Sequence, residues 1–406
     1  MKKQAYKFYR YTRANGLGKA LVKTTQYVKR NGTAIIAQPV DVMVAIEDVI
    51  KADYIAHPYK TPPKKKNKMH LNVGWVLSPV SAGSGGQNTI VRFARYLQQQ
   101  GHDITFYIYE GIHPQTATEA KRILKESFNF NVAVKSIKSY QESDALIATG
   151  WETAYPTFNL NTKAHKFYFV QDFEPMFYGT GSKTVLAETT YKFGFYGITA
   201  GKWLAHRLNK DYGMRTDHFD FGADLDIYRH DGALKKQKKV CFYARPVTER
   251  RAFELGIIAL DLFHKEHPDY QIELLGWDVS GYKIPFPYVN RGILSHTDLA
   301  QLYQESVACL VLSLTNVSLL PLELLAAGCV PIMNEGDNNT MVLGKNEHIK
   351  YSSAYPVQLA HALSEVVSTK DVNAQAKAAA ASVHGISWDK SYANVESIIK
   401  REVFEK

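Results

Sequence analysis

Cysteine is scarce, with three residues in 406, and Cys241, Cys309 and Cys329 each sit inside an apolar run. That excludes a disulfide framework and argues against a redox pair or a thiolate metal site; it reads as three reduced core thiols in a cytosolic protein. Membrane-spanning runs are missing as well. The uncharged stretch Ser306 to Leu322 is interrupted by Thr315, Asn316 and Pro321, which suits a strand, a loop and a helix start better than a bilayer span. The first thirty residues have no apolar core of the secretory type, so no cleaved leader is expected. They also lack acid: nine Lys and Arg, no Asp or Glu, interleaved with Tyr6, Phe8, Tyr9, Tyr11, Leu17, Leu21, Val22 and Tyr27.

What is present is enough for two domains. Apolar residues make up 45% and charged residues 22%, which supplies more than one core and rules out disorder. Charge is segregated. Residues 1–70 hold 15 basic and 4 acidic residues, and the other 336 balance at −1. Residues 1–68 therefore read as a basic arm and linker. Basic residues mixed with aromatics suit an anionic membrane surface; nucleic acid, or a solvated helix with a linker at Thr61–Lys68, are the alternatives. The neutral body speaks against nucleic acid as partner. The expected location is the cytoplasm, peripherally on the inner face of the plasma membrane.

Past the linker, Leu71–Leu77 has strand composition and runs into Ser81-Ala-Gly-Ser-Gly-Gly86, then a helical stretch Thr89–Gln99 and a strand Asp103–Tyr109. That unit opens a doubly wound parallel sheet, continued by strands at Ala145–Thr149 and Lys166–Val170 and a strand end and helix at Ile198–Leu208. A second series follows: strands Val240–Ala244, Gln271–Leu275, Cys309–Leu314 and Val330–Met333, with helices Phe253–Glu266 and from about Leu319. The fold class is α/β, two Rossmann-like domains facing across a cleft. The divisions expected are 69–222, 223–385 and a C-terminal helix in 386–406, with the chemistry in the cleft.

Gly83 and Gly85 fit two positions of a dinucleotide fingerprint, but the third is Asn88. A loop that admits a sugar or phosphate accounts for the glycines better, with a plain tight turn as the bland alternative. Asp224-Leu225-Asp226 has the spacing of some metal sites, yet its place in an inter-domain connection favours a turn. Arg245 follows a strand directly and Arg250 comes five residues on; guanidiniums at the carboxyl end of a parallel strand suit a diphosphate. In Ser313–Gly328 a strand ends in small polar residues, Pro321 suits a first helical turn, and Glu323 stands in an apolar helix where a carboxylate needs a partner such as ribose hydroxyls. Asp172 and Glu174 follow another strand end and read either as cleft groups that orient hydroxyls or act as base, or as caps.

The second half resembles the nucleotide-binding domain of GT-B glycosyltransferases of the retaining family-four type, and the resemblance extends over residues 71–406. Gly222-Ala-Asp224 is similar to that family's inter-domain turn, with Phe221 where Asn is usual. Arg245 and Arg250 match its phosphate-binding Arg and Lys, and Glu323 matches the second of its paired glutamates. The first falls at Thr315, and Ser387-Trp388-Asp389 resembles the start of the helix that crosses back. Val170–Tyr178, Phe193–Ala200, Phe242–Pro246 and Leu314–Pro321 resemble bacterial rhamnosyltransferases of cell-surface and S-layer glycans. The resemblance implies a donor such as dTDP-L-rhamnose and a saccharide acceptor that is lipid-linked. The donor would be held by Arg245, Arg250, Thr315, Ser318, Leu319, Leu320 and Glu323. The acceptor would lie against Gly83, Ser84, Gly85, Gly86 and Gln171, with Arg245, Arg250, Asp172 and Glu174 in the chemistry. No cofactor and no metal are expected. A transferase using UDP-hexose or UDP-galactofuranose, a nicotinamide oxidoreductase and a membrane-surface scaffold are the competing readings.

Overall fold

The computed structural model describes residues 42–405 apart from 112, 113, 231, 233, 318 and 345. Residues 43–406 form one compact unit, built on two parallel sheets. The first contains β1 (Asn72–Leu77), β2 (Asp103–Ile108), β3 (Ala133–Ser136), β4 (Ala145–Ala148), β5 (His165–Val170), β6 (Tyr196–Ala200) and β7 (Thr216–Phe219), in the order β3-β2-β1-β4-β5-β6-β7. The second contains β8 (Lys239–Tyr243), β9 (Gln271–Leu275), β10 (Val289–Gly292), β11 (Ala308–Val311), β12 (Val330–Asn334) and β13 (Lys350–Ser352), in the order β10-β9-β8-β11-β12-β13. Every pairing is parallel. Helices cover both faces of such a sheet, so its central strands are buried on both sides and read as continuous apolar runs. β5 is buried throughout, and so are β4, β11 and β12.

The two orders follow one plan. In each sheet the winding reverses beside the first strand, between β1 and β4 and between β8 and β11. Loops leaving the carboxyl ends of those strands diverge there and open a crevice. The helix after β1, Gly85–Gln99, starts at Ser84, whose side chain accepts from the Gln87 N–H. It buries Ile90, Val91, Phe93, Ala94 and Leu97 on the sheet.

The three cysteines are free and buried in the second lobe. Residues 43–68, expected as the end of an arm, instead pack on the first lobe. Ala45 N–H donates to the Tyr109 hydroxyl, which donates to Asp48; Lys65 pairs with the backbone of Val403 and Glu405; Lys65 and Lys68 both salt-bridge Asp144. Backbone pairing and the buried Asp144 carboxylate hold this segment, while Lys51, Lys60, Lys64, Lys66 and Lys68 remain exposed and leave it a basic surface. The expectation of membrane contact through the arm falls largely on residues 1–41, outside the described residues. No helix among the described residues is long and apolar enough to cross a membrane.

The helix Trp388–Val403 buries Val395, Ile398, Ile399 and Val403 in the first lobe's core. Gly222 is required at the outward crossing: a Cβ there would lie 2.5 Å from the Trp388 ring.

Candidate active site

The loops after β8 and β11 bring the second lobe's polar groups together. β8 ends at Tyr243, and Arg245 follows within two residues. Its guanidinium touches the Tyr243 hydroxyl at 3.4 Å and lies 5.9 Å over the Trp277 ring. Its Nε is buried and has no hydrogen-bond partner among the described residues. A short 3-10 turn, Glu249–Arg251, then sets Arg250 and Arg251. Arg251 is buried and donates to Ser313 Oγ at 2.8 Å. Arg250 lies 4.2 Å over the Phe177 ring and its Nε donates to Asp172 at 3.0 Å, so it reaches the first lobe.

Ser313, two residues past β11, is the centre of a polar hub. Its N–H donates to Asn334 Oδ1 at 2.8 Å, and its carbonyl accepts from Asn334 and Asn338 at 2.9 Å each. That bracing fixes the next three residues. Thr315 is 1% exposed and its hydroxyl has no partner among the described residues; the Asn316 side-chain oxygen is in the same condition. Leaving buried hydroxyl and amide oxygens unsatisfied costs about 1–3 kcal/mol each, so this loop is suited to a polar ligand. Leu320 is buried, and Leu319 packs its side chain against the first lobe's core. Only their backbone could face a ligand. Ser318 lies outside the described residues.

Glu323 sits in the helix Leu320–Ala326. Enclosure pushes its carboxyl up to about 7, the Asp224 charge adds to this, and Arg92 offsets part of it. A carboxyl so placed gains from hydroxyl donors, which favour its charged form.

On the first lobe, Gly83 adopts φ +75, the left-handed region, and no atom lies within 4 Å of where a Cβ would stand at Gly83 or Gly85. The rim of this loop is open, while its base is braced: Gln171 Nε2 donates to the Gly86 carbonyl at 3.1 Å. Gln171 is thus a support of the loop as well as a neighbour of the crevice.

Asp172, read either as a cleft group that orients hydroxyls or acts as base or as a cap, is engaged by three donors. Its Oδ1 accepts from the Asn316 N–H at 2.7 Å and the Phe173 N–H at 2.8 Å, and its Oδ2 accepts from Arg250. Asn316 Nδ2 also donates to the carbonyls of Gln171 and Ala200. Asp172 is therefore a bracket between the lobes, with both of its oxygens engaged. Glu174 is turned inward. Its carboxylate is buried, taking the Trp151 N–H at 2.6 Å and the Tyr168 hydroxyl at 2.8 Å. Burial, with the neighbouring Glu152 charge, pushes it up to about 8. A neutral carboxyl under a helix start props the loop and does not reach a substrate.

Three groups that matter here escaped the sequence reading. Asn316 stitches the lobes, and its only signal was a small polar run after an apolar strand. Glu152, half-buried in the first turn after β4, has its carboxyl raised by burial and turned back over Gly150, whose Cβ position lies 2.8 Å from Oε2. Arg92 binds Asp224 through both terminal nitrogens, one at 2.8 Å. The first of the two carboxylates of the Asp-x-Asp segment is thereby occupied by a guanidinium. Among the described residues no group of three or more His, Cys, Asp or Glu is placed to hold a metal ion.

Two family models match the chain in order: WsaF, N-terminal domain, over residues 100–200 and WsaF, C-terminal domain, over residues 238–364. The O-antigen biosynthesis protein RfbC of Myxococcus xanthus is 29% identical over 340 residues, covering 80% of this chain. The chain spans about a quarter of that relative, 26% of its length. Among solved structures, sucrose-phosphate synthase from Thermosynechococcus elongatus superposes with a TM-score of 0.62 at 12% identity, over 82% of this chain and 99% of the other. HepE from Anabaena, solved with UDP and glucose, gives 0.62 at 11% identity, over 81% and 99%. At such identities the likeness establishes architecture, and the architecture is GT-B.

Proposed function

We propose that this GT-B chain transfers a glycosyl group from a nucleoside diphosphate sugar to a saccharide acceptor during assembly of a polysaccharide or surface glycan. The observation that carries the reading is the second lobe's set of polar groups at its switch point. Arg245, with a buried Nε that nothing among the described residues satisfies, stands in the same crevice as Thr315 and Asn316, whose buried oxygens are likewise unmet. Matches to the two WsaF domains and to an O-antigen biosynthesis protein support the same class.

In this reading the diphosphate lies against Arg245, with the terminal nitrogens of Arg250 as a second donor and the ribose hydroxyls on Glu323. The barrier is departure of the diphosphate from the anomeric carbon. Guanidiniums aimed at that developing charge lower the barrier without reorganising during the step. The acceptor lies on the open rim of Gly83–Gly85, beside Glu152. With Asp172 committed to Arg250 and Asn316 and Glu174 buried, neither serves as base. The departing phosphate takes the acceptor proton on the face it leaves, which gives retention. We further propose L-rhamnose from dTDP-rhamnose as the donor, supported by the resemblance of Phe242–Pro246 and Leu314–Pro321 to rhamnosyltransferases. A lipid-linked acceptor is proposed with it, and the basic arm as the means of reaching the membrane.

Titration calorimetry with dTDP, UDP and NAD tests the class, and product formation from dTDP-rhamnose and UDP-glucose, with and without chelator, tests the donor. Binding of dTDP with turnover unchanged by chelator is the expected result. NAD binding without nucleoside diphosphate binding overturns the reading.

A further inference from the structure

Arg92 stands where the two chain crossings between the lobes meet. It lies on the helix that follows the glycine loop, between the buried residues Val91 and Phe93. Its fork grips Asp224, just past the outward crossing at Gly222. Its guanidinium lies 5.4 Å over the ring of Trp388, which begins the return crossing and presses on Gly222. Tyr392, one turn further along that helix, stacks on the Trp388 ring with centroids 5.9 Å apart. A planar, bidentate fork stacked on an indole is a geometry that lysine cannot reproduce.

This junction does not end at Asp224. The charges acting on Glu323 are that of Asp224, which repels its ionised form, and that of Arg92, which attracts it. The other titratable groups facing it are Tyr228, whose hydroxyl is engaged with His296 Nδ1 at 2.8 Å, and Tyr303, both of whose phenols are pushed up in part by the Glu323 charge. Arg92 is therefore the cation that the first lobe supplies to the nucleotide side of the second.

We propose that Arg92 is a positioning residue for nucleotide binding: by holding Asp224 it neutralises the charge beside Glu323, so that the first lobe tunes the carboxylate that receives the ribose. This rests on the reading of Glu323 as the ribose-binding acid. Ribose hydroxyls donate to a carboxylate better than to a carboxylic acid, so affinity rises with pH as Glu323 ionises. Removing Arg92 unmasks Asp224 and holds Glu323 protonated to higher pH. Removing the Asp224 charge does the reverse.

The test is calorimetric titration of the full chain with UDP and dTDP across the neutral range, for wild type, Arg92→Gln, Arg92→Lys, Asp224→Asn and Glu323→Gln. The diphosphate itself titrates there, and Glu323→Gln provides the baseline that retains this contribution. With that baseline subtracted, Arg92→Gln has an affinity midpoint above that of wild type and binds roughly fivefold or more weakly than wild type at neutral pH. Asp224→Asn shifts the midpoint downward. Arg92→Lys, which keeps the charge but loses the fork, has a midpoint between those of wild type and Arg92→Gln and decides the matter together with Asp224→Asn if Arg92→Gln does not fold. Arg92→Gln and Asp224→Asn break the same ion pair, so a junction that merely locks the lobes would move both midpoints in one direction or neither. That result overturns the proposal while leaving the nucleotide reading intact. Failure of wild type to bind either nucleotide overturns both.

Discussion

Around the first sheet the core is made of rings: Trp75, Phe93, Phe169 and Phe219 form a chain of neighbours with centroids 4.6 to 5.4 Å apart, and Trp151, Tyr155, Phe167, Tyr168 and Phe173 are fully buried in the same core. Around the second, the central strands contribute Val240, Ile272, Leu274, Leu310 and Ile332. Both lobes use the same strand order, the first with one more strand, β7, at its edge. Their crevice faces nevertheless carry opposite chemistry, glycines and carboxyls on one and guanidiniums and hydroxyls on the other. One lysine in each is used alike: the buried Lys166 donates to the carbonyls of Phe158 and Leu160, and the half-buried Lys236 to those of Tyr303 and Ser306, each pushed down to about 8 by desolvation. The scaffold is thus shared and the difference lies in loops of a few residues at the strand ends, where fold ceases to dictate function.

The largest expected effect sharpens that contrast from the second lobe. Arg245→Ala should lower turnover by a factor of about a hundred to a thousand, the usual consequence of losing one donor to a developing negative charge. Its only side-chain hydrogen bond among the described residues is the 3.4 Å contact to Tyr243, so the melting temperature should barely move. Steady-state kinetics beside a thermal melt check both halves. Turnover near wild type would remove Arg245 from the site.

The next effect joins the lobes. Asp172→Ala strands the Asn316 N–H and the Arg250 Nε together. Breaking one side of a largely enclosed charge pair costs on the order of 3 kcal/mol. Denaturant unfolding should show that loss, and donor KM should rise because the Thr315–Asn316 loop loses its anchor. A KM left unchanged would separate the bracket from the site.

How much of this could be read in advance follows from burial. The central strands β1, β2, β4, β5, β8, β9, β11 and β12 were all legible, because both of their faces are covered and their sequences run apolar. The four that escaped, β3, β7, β10 and β13, are the outermost strands of the two sheets, and Ala133–Ser136, Val289–Gly292 and Lys350–Ser352 have no fully buried residue. An edge strand is held by one neighbour's backbone and needs no apolar signature. Arg245 and Thr315 were legible as strand-end residues. The commitments of Asp172 and Arg92 were not, since each is defined by a partner far along the chain: Arg250 and Asn316 for one, Asp224 for the other. Periodicity and spacing report local geometry, and a bond between residues so far apart in sequence leaves no local trace.

The last effect belongs to the first lobe and is a matter of pH. Glu174 is held near 8 in the folded chain, against 4.5 for an unperturbed glutamate, chiefly because its carboxyl is buried. A carboxyl raised on folding binds its proton more tightly in the native state, so the stabilisation is fully present below about pH 4.5 and is lost as pH rises through about 8. Wild-type melting temperature should therefore decline across that window. In Glu174→Gln, which stays neutral and can still accept from Trp151 and Tyr168, the decline should be shallower, with the variant gaining on wild type toward alkaline pH. The second lobe offers an internal contrast, since Lys236 is depressed toward the same pH and its pairing with three carbonyls is unaffected by the substitution. If the slope of the melting temperature against pH were identical in wild type and Glu174→Gln, Glu174 would have to be ionised in the folded chain, and its place as a neutral prop beneath the first lobe's crevice would be lost.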